Sequence, residues 1–173
     1  MRKIILYLVL IVVFADLSGQ TSPADELFNK YSGKEGFSSV FISSKMLGLF
    51  TQMETADSEA ENVMGKLKSV RILSVTDSTL NRKINFHAEL SRKMDFSGYE
   101  ELMVVKEGQN ITYFLTRQSG KSISELLMIT GGPGGNSMIS IKGDLNLNDI
   151  SGLSRNMGIE DLKLLEDLEK KSP

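Results

Sequence analysis

A nucleophilic triad in this chain has to be built on His87, its single histidine. Ser78 or Ser91 would supply the hydroxyl, and Asp77 or Asp95 the carboxylate that orients the ring. No Gly-x-Ser-x-Gly elbow presents either serine, and a lone histidine on a helix is more often a surface or boundary residue. Metal chemistry is as poorly supplied. The chain has no cysteine, and Asp144, Asn146, Asn148 and Asp149 lack the glycine and distal glutamate of a calcium loop. They read instead as a turn into a helix with Asn148 or Asp149 near its cap. Gly131-Gly-Pro-Gly-Gly-Asn136 resembles an amide nest for an anion, but the Lys-Ser/Thr of a phosphate loop is missing and a strand follows. A hairpin tip is the simpler assignment. Glu100 and Glu101 are adjacent on a strand and point to opposite faces, so they are no glycosidase pair. The sequence therefore predicts no catalytic, cofactor-binding or metal-binding residue, and a protein that is not an enzyme.

The elements that would carry any site are organised around Tyr99–Gly143. Four runs, Glu101–Lys106, Asn110–Arg117, Ile123–Thr130 and Ser137–Lys142, are rich in residues that suit a pleated surface. Gly108, Gly120 and the 131–136 glycines stand at the junctions, which predicts three hairpins and a four-strand meander. In the second run Ile111, Tyr113 and Leu115 share a face, and Thr112, Phe114 and Thr116 share the other. That alternation predicts one buried and one mostly wet face. Thr112, Phe114, Thr116, Ser140 and Lys142 then form the candidate binding surface.

Upstream, Ser22-Pro-Ala-Asp25 has the form of a capping box before a short helix carrying Leu27, Phe28 and Tyr31. Gly36–Ser43 alternates as a strand. Met46, Leu49, Phe50 and Met53 fall at helical spacing and are expected to fill the core. Ala60, Val63, Met64 and Leu67 mark a second helix and Val70–Val75 a second strand, a β-α-β segment that predicts a parallel pair. Asp77-Ser78 caps a third helix with Leu80, Ile84, Ala88 and Ser91 on one stripe. Beyond the meander lie a weak helix, 147–157, and a strong one, 160–171, with Leu162, Leu165 and Leu168 on one face. The expected fold is α+β in two layers: a mixed, mostly antiparallel sheet of five or six strands covered on one face by helices.

At 173 residues, 40% apolar and 24% charged with a net charge of -2, the chain suits one domain and gives no footprint for nucleic acid. Arg2-Lys3 followed by the apolar run Ile4–Phe14 and by Ser18-Gly19-Gln20 reads as a signal peptide over residues 1–20. Residues 21–173 form the expected domain. The apolar run is too short to span a bilayer, and no other stretch approaches that length. With no lipobox cysteine, the expected product is soluble, in the periplasm or outside the cell.

Phe28-Asn-Lys-Tyr-Ser-Gly-Lys-Glu-Gly36, Lys68-Ser-Val-Arg-Ile-Leu73, Tyr99-Glu-Glu-Leu-Met103 and Ser122-Ile-Ser-Glu-Leu-Leu127 resemble the domain-of-unknown-function 4252 family of exported Bacteroidetes proteins. The resemblance runs over nearly all of the mature chain. It implies an envelope setting in a Gram-negative cell and assigns chemistry to no position. Many members of that family look like lipoproteins, and this chain departs from them in lacking the cysteine.

Together these features predict a non-catalytic module that binds an envelope protein or component, without cofactor, nucleic acid or a transmembrane segment. The alternative is a carrier of a small hydrophobic ligand, held between sheet and helices near Met46, Phe50 and Met64.

Overall fold

The structure, a computed structural model, describes residues 22–51, 58–93, 98–146 and 148–150. Its elements are α1 (Pro23–Tyr31), β1 (Phe37–Ser43), α2 (Ser44–Phe50), α3 (Ser58–Lys66), β2 (Leu67–Val75), α4 (Ser78–Asn81), α5 (Phe86–Lys93), β3 (Glu100–Glu107), β4 (Asn110–Ser119), β5 (Ser122–Gly131) and β6 (Ser137–Leu145). The signal peptide, Met53, Asp95, all but three residues of the weak helix at 147–157, and the helix at 160–171 lie outside the described residues.

The α+β class and the C-terminal meander stand as expected. Six strands make one open sheet in the order β1-β2-β6-β5-β4-β3, and every neighbouring pair is antiparallel. Gly108 at φ 60° and Gly120 at φ 65° take the left-handed conformation at two of the hairpins. The expected parallel pairing of the first two strands is corrected: β1 and β2 run antiparallel. The cause is the connection. Two helices, α2 and α3, pack on each other between the strands, so the chain travels out and back and returns to the end of the sheet it left.

The expectation of helices on one face is also corrected. Along β5, Leu126 and Met128 join one core with Leu47 of α2 and Val63 of α3, whereas Leu127 and Ile129 join another with Leu27 and Phe28 of α1 and Phe86 and Leu90 of α5. The sheet is thus buried on both sides, and its middle strands are apolar on both. Each of these fully buried side chains contributes about 1.5–3 kcal/mol.

Local chemistry explains where the helices start. Ser22 Oγ accepts the Asp25 N–H at 3.2 Å, and the Asp25 carboxylate accepts the Ser22 N–H at 3.3 Å, so the expected capping box opens α1. Asp77 accepts the Thr79 and Leu80 N–H groups, both at 2.8 Å, and opens α4. The single helix expected after Asp77 is broken in two at Arg82–Asn85. Asn85 Oδ1 takes the Ala88 N–H at 2.8 Å and restarts the chain as α5, which brings Phe86 and Leu90 into the core.

The glycine loop between β5 and β6 holds that break in place. Asn136, 2% exposed, accepts the Phe86 N–H at 2.9 Å and donates to the Gly132 carbonyl at 2.9 Å and to Asn81 at 3.1 and 3.2 Å. A Cβ on Gly132 would sit 2.7 Å from the Asn110 Cα and the Gln109 carbonyl oxygen. The loop is a packed junction on the α4–α5 side of the molecule, not a bare hairpin tip.

Candidate functional site

The chemistry-bearing residues of the sequence are dispersed by the fold. Ser91 Oγ lies 3.4 Å from His87 Nε2 but donates to the His87 carbonyl at 2.8 Å, while Asp77 is occupied at the α4 cap. His87 stacks on Tyr113, ring centres 4.0 Å apart, and burial lowers its pKa from the ordinary 6.5. Asn146 and Asp149 bond each other reciprocally, at 2.8 and 2.9 Å, as the cap of the turn at 148–150, and Lys66 donates to Asp149 at 2.8 Å. Among the described residues no three His, Asp or Glu side chains gather as a metal centre would require. Glu100 accepts from Gln118 at 2.8 Å and is exposed.

The five candidate surface residues do not share a face. Phe114 and Thr116 are buried in the α2–α3 core side, with Thr112 half-buried and bonded to Thr130 at 2.9 Å. Ser140 and Lys142 lie on the opposite side of the sheet, under α1. There they join a polar network that the sequence reading missed. Lys142 donates to Asp25 Oδ2 and, at 3.0 Å, to Ser22 Oγ, while Arg71 Nη1 lies 3.1 Å from Asp25 Oδ1. That Oδ1 accepts no hydrogen bond, so Arg71 holds it by charge alone. Burial pushes the Asp25 carboxyl up, but the Lys142 hydrogen bond and the Lys142 and Arg71 charges outweigh it and hold the pKa below 3.8.

Next to it, Glu125 is 2% exposed and accepts from Tyr99 at 2.7 Å and Ser140 at 2.6 Å. Burial and the adjacent Glu125 charge push the Tyr99 phenol far up, so it stays protonated and donates. Arg117 lies 4.5 Å over the Tyr99 ring. Cross-strand register could have revealed part of this network, because Arg117, Glu125 and Lys142 are successive partners across β4, β5 and β6. Its charges are directed at each other and at the α1 cap, and what they accomplish is to seat α1 on the sheet.

Among the described residues, the surface without a partner lies at one margin. Met46, Leu49 and Phe50 were expected in the core; they are exposed, and the buried residue of α2 is Leu47. A seven-residue helix made mostly of apolar side chains has no unique apolar stripe, so periodicity chose the wrong side. Val40 of β1 (43% exposed) is on the α2 face of the sheet, and Phe41 (54%) is on the opposite face, with Arg71 4.8 Å over its ring. Among the described residues, and with the exception of Leu102, the exposed large apolar side chains all belong to β1 and α2. The two edges of the sheet differ in kind. β3 carries Glu100, Glu101, Lys106 and Glu107 and its pairing slips between Glu101 and Met103. β1, Phe-Ser-Ser-Val-Phe-Ile-Ser, has no charge and no proline, and pairs with β2 along its whole length without a bulge. Charge and bulges are the usual guards of an edge strand. One edge has them and the other does not.

Clefts elsewhere are open, with linings of mixed polar and apolar character. One of about 480 Å³ is lined by Glu100, Thr116, Gln118, Lys121, Asn146 and Asn148 among others, and one of about 420 Å³ by Lys30, Tyr31, Lys83, Asn85, Glu89 and Arg92 among others. No helix of the described residues is long and apolar enough to cross a membrane.

A family model described as a domain of unknown function (DUF4252) matches residues 31–153, which takes in β1, the meander and both cores apart from the α1 residues Ala24, Leu27 and Phe28. No curated protein and no solved structure matches the chain.

Proposed function

Since this chain belongs to the family described as a domain of unknown function (DUF4252), a description without an activity, we propose a function from its surface: a non-catalytic module that binds a protein partner along β1 and α2. The observation that carries this is the neutral, unbulged edge of β1 flanked by exposed Val40, Phe41, Met46, Leu49 and Phe50. An edge strand offers main-chain N–H and C=O groups to an incoming strand, and apolar side chains beside it supply the area that gives such pairing affinity. The signal-like segment Arg2–Gln20 supports an envelope setting for this binding. Of the residues offered for the carrier alternative, Met46 and Phe50 are exposed and Met64 packs against the core, so the surface reading is the better supported.

Crosslinking of the tagged protein in its native cell, followed by mass spectrometry, tests the proposal when run beside two variants. Val40→Lys places a charge on the neutral edge, and Leu102→Lys places one by the opposite edge. A partner kept by the wild type and Leu102→Lys but lost by Val40→Lys supports the assignment. A partner held equally by all three removes β1 from it.

A further inference from the structure

The sequence of β1 is complementary to itself, and the geometry points to a second copy of this chain as the segment that pairs with it. This inference rests on β1 being the docking strand and names the partner. Antiparallel pairing about a twofold axis through Val40 sets Phe37 opposite Ser43, Ser38 opposite Ile42 and Ser39 opposite Phe41, with Val40 facing its own copy. At every position away from the axis a large side chain meets a serine. Directly opposed residues project to the same face, so each large group extends over the space a small one leaves. The two members of each pair are separated by an even number of residues, so their main-chain groups point the same way and the ladder closes in register.

Charge agrees with this arrangement. β1 has no ionisable residue, so a self-pairing opposes no like charges, whereas β3 paired with itself would bring glutamates together. A twofold perpendicular to the sheet also preserves its faces. The two copies of α2, which follow β1 directly and pack on it, therefore arrive on one side of a continuous twelve-strand sheet. Exposed Met46, Leu49 and Phe50 then lie near the seam. The side chains that a monomer leaves in water are thus the ones a dimer would cover.

Sedimentation velocity on protein purified from cells expressing the full chain, over a range of concentrations, reads the first consequence. The wild type is expected to pass from one to two chain masses as concentration rises. Val40→Lys sets two ammonium groups against each other at the axis and should move that transition upward by on the order of a hundredfold, with thermal melting of the monomer unchanged. Engineered cysteines read the register, and the chain supplies no competing thiol. Val40→Cys is opposite itself and should form a disulfide-linked dimer on mild oxidation, whereas Ser38→Cys faces Ile42 and should not. A wild type that stays a monomer at every concentration overturns the second copy, and leaves β1 as a docking strand for another protein if capture is still lost in Val40→Lys. Equal crosslinking of the two cysteine variants overturns the register.

Discussion

Replacing Asn136 with alanine should be among the most damaging single changes in this domain, though it removes only one small polar side chain. Four hydrogen bonds meet on that amide: the Phe86 N–H, the Gly132 carbonyl, and the Asn81 carbonyl and side-chain oxygen. The two Asn81 partners are half-buried and can turn to water. The Phe86 N–H and the Gly132 carbonyl are enclosed, and each buried group left without a partner costs about 1–3 kcal/mol. A loss of about 3 kcal/mol is expected, out of the 5–15 kcal/mol typical of a domain. With a urea dependence of about 2 kcal/mol per molar, the unfolding midpoint should fall by about 1.5 M with an unchanged slope. Asn85→Ala is the control, because it removes one exposed helix cap worth about 1 kcal/mol and should lower the midpoint by about 0.5 M. If Asn136→Ala moves the midpoint no further than Asn85→Ala, the amide is not the tie between the glycine loop and the α4–α5 break.

Three more outcomes follow from the packing. Tyr99→Phe takes one of two donors from the buried Glu125 carboxylate and should cost about 1.5–3 kcal/mol, seen as a fall of several degrees in the melting temperature. Gly132→Ala drives a Cβ to within 2.7 Å of the Asn110 and Gln109 backbone and should cost about 1–3 kcal/mol by the same assay, whereas Gly135→Ala, with open space around it, should cost less. Stability should also fall on acidification in two stages. Folded His87 binds fewer protons than the unfolded chain, so stability declines as pH drops below 6.5, and His87→Gln should flatten that first stage. Asp25, held below 3.8, contributes stability above that value that is lost as pH falls through its folded pKa; Asp25→Asn should remove the second stage, as followed by melting temperature against pH.

The parts of the fold legible in the sequence are those fixed by neighbours in the chain. The capping box at Ser22–Asp25, the cap at Asp77, and the hairpin glycines at 108 and 120 each act over a few residues, and all four stand where their chemistry put them. What escaped is whatever depends on contacts between distant elements. Alternation along β4 correctly separated Tyr113 and Leu115 from Phe114, but it carries no information on whether the second face is wet or covered. Two helical legs between β1 and β2 were legible from periodicity, but whether they pack as an out-and-back pair or as one crossover depends on their contact with each other, and that decided the strand direction. Lys142 looked exposed because its partner, Asp25, is 117 residues away. The Met46–Phe50 stripe failed for another reason: in so short and apolar a helix, burial is chosen by the surface it lands on.

The placement of charge separates what the domain uses to hold itself together from what it leaves for others. Under α1, Asp25, Arg71, Lys142 and Glu125 are engaged with each other or with hydroxyl groups on the sheet. Breaking any one of these contacts strands a charge in a partly dry setting, so this face is committed to the fold. β1 inverts the pattern. Arg71 approaches it, 4.8 Å over the Phe41 ring, and is also tied to Asp25. The main-chain edge of β1 bears no charge to repel a neighbour and no bulge to misalign one. A charge such as the lysine and glutamates of β3 is the usual guard of such an edge. Val40→Lys supplies that guard without touching the α1 network, which is why its effect on association should be large while its effect on monomer stability is small.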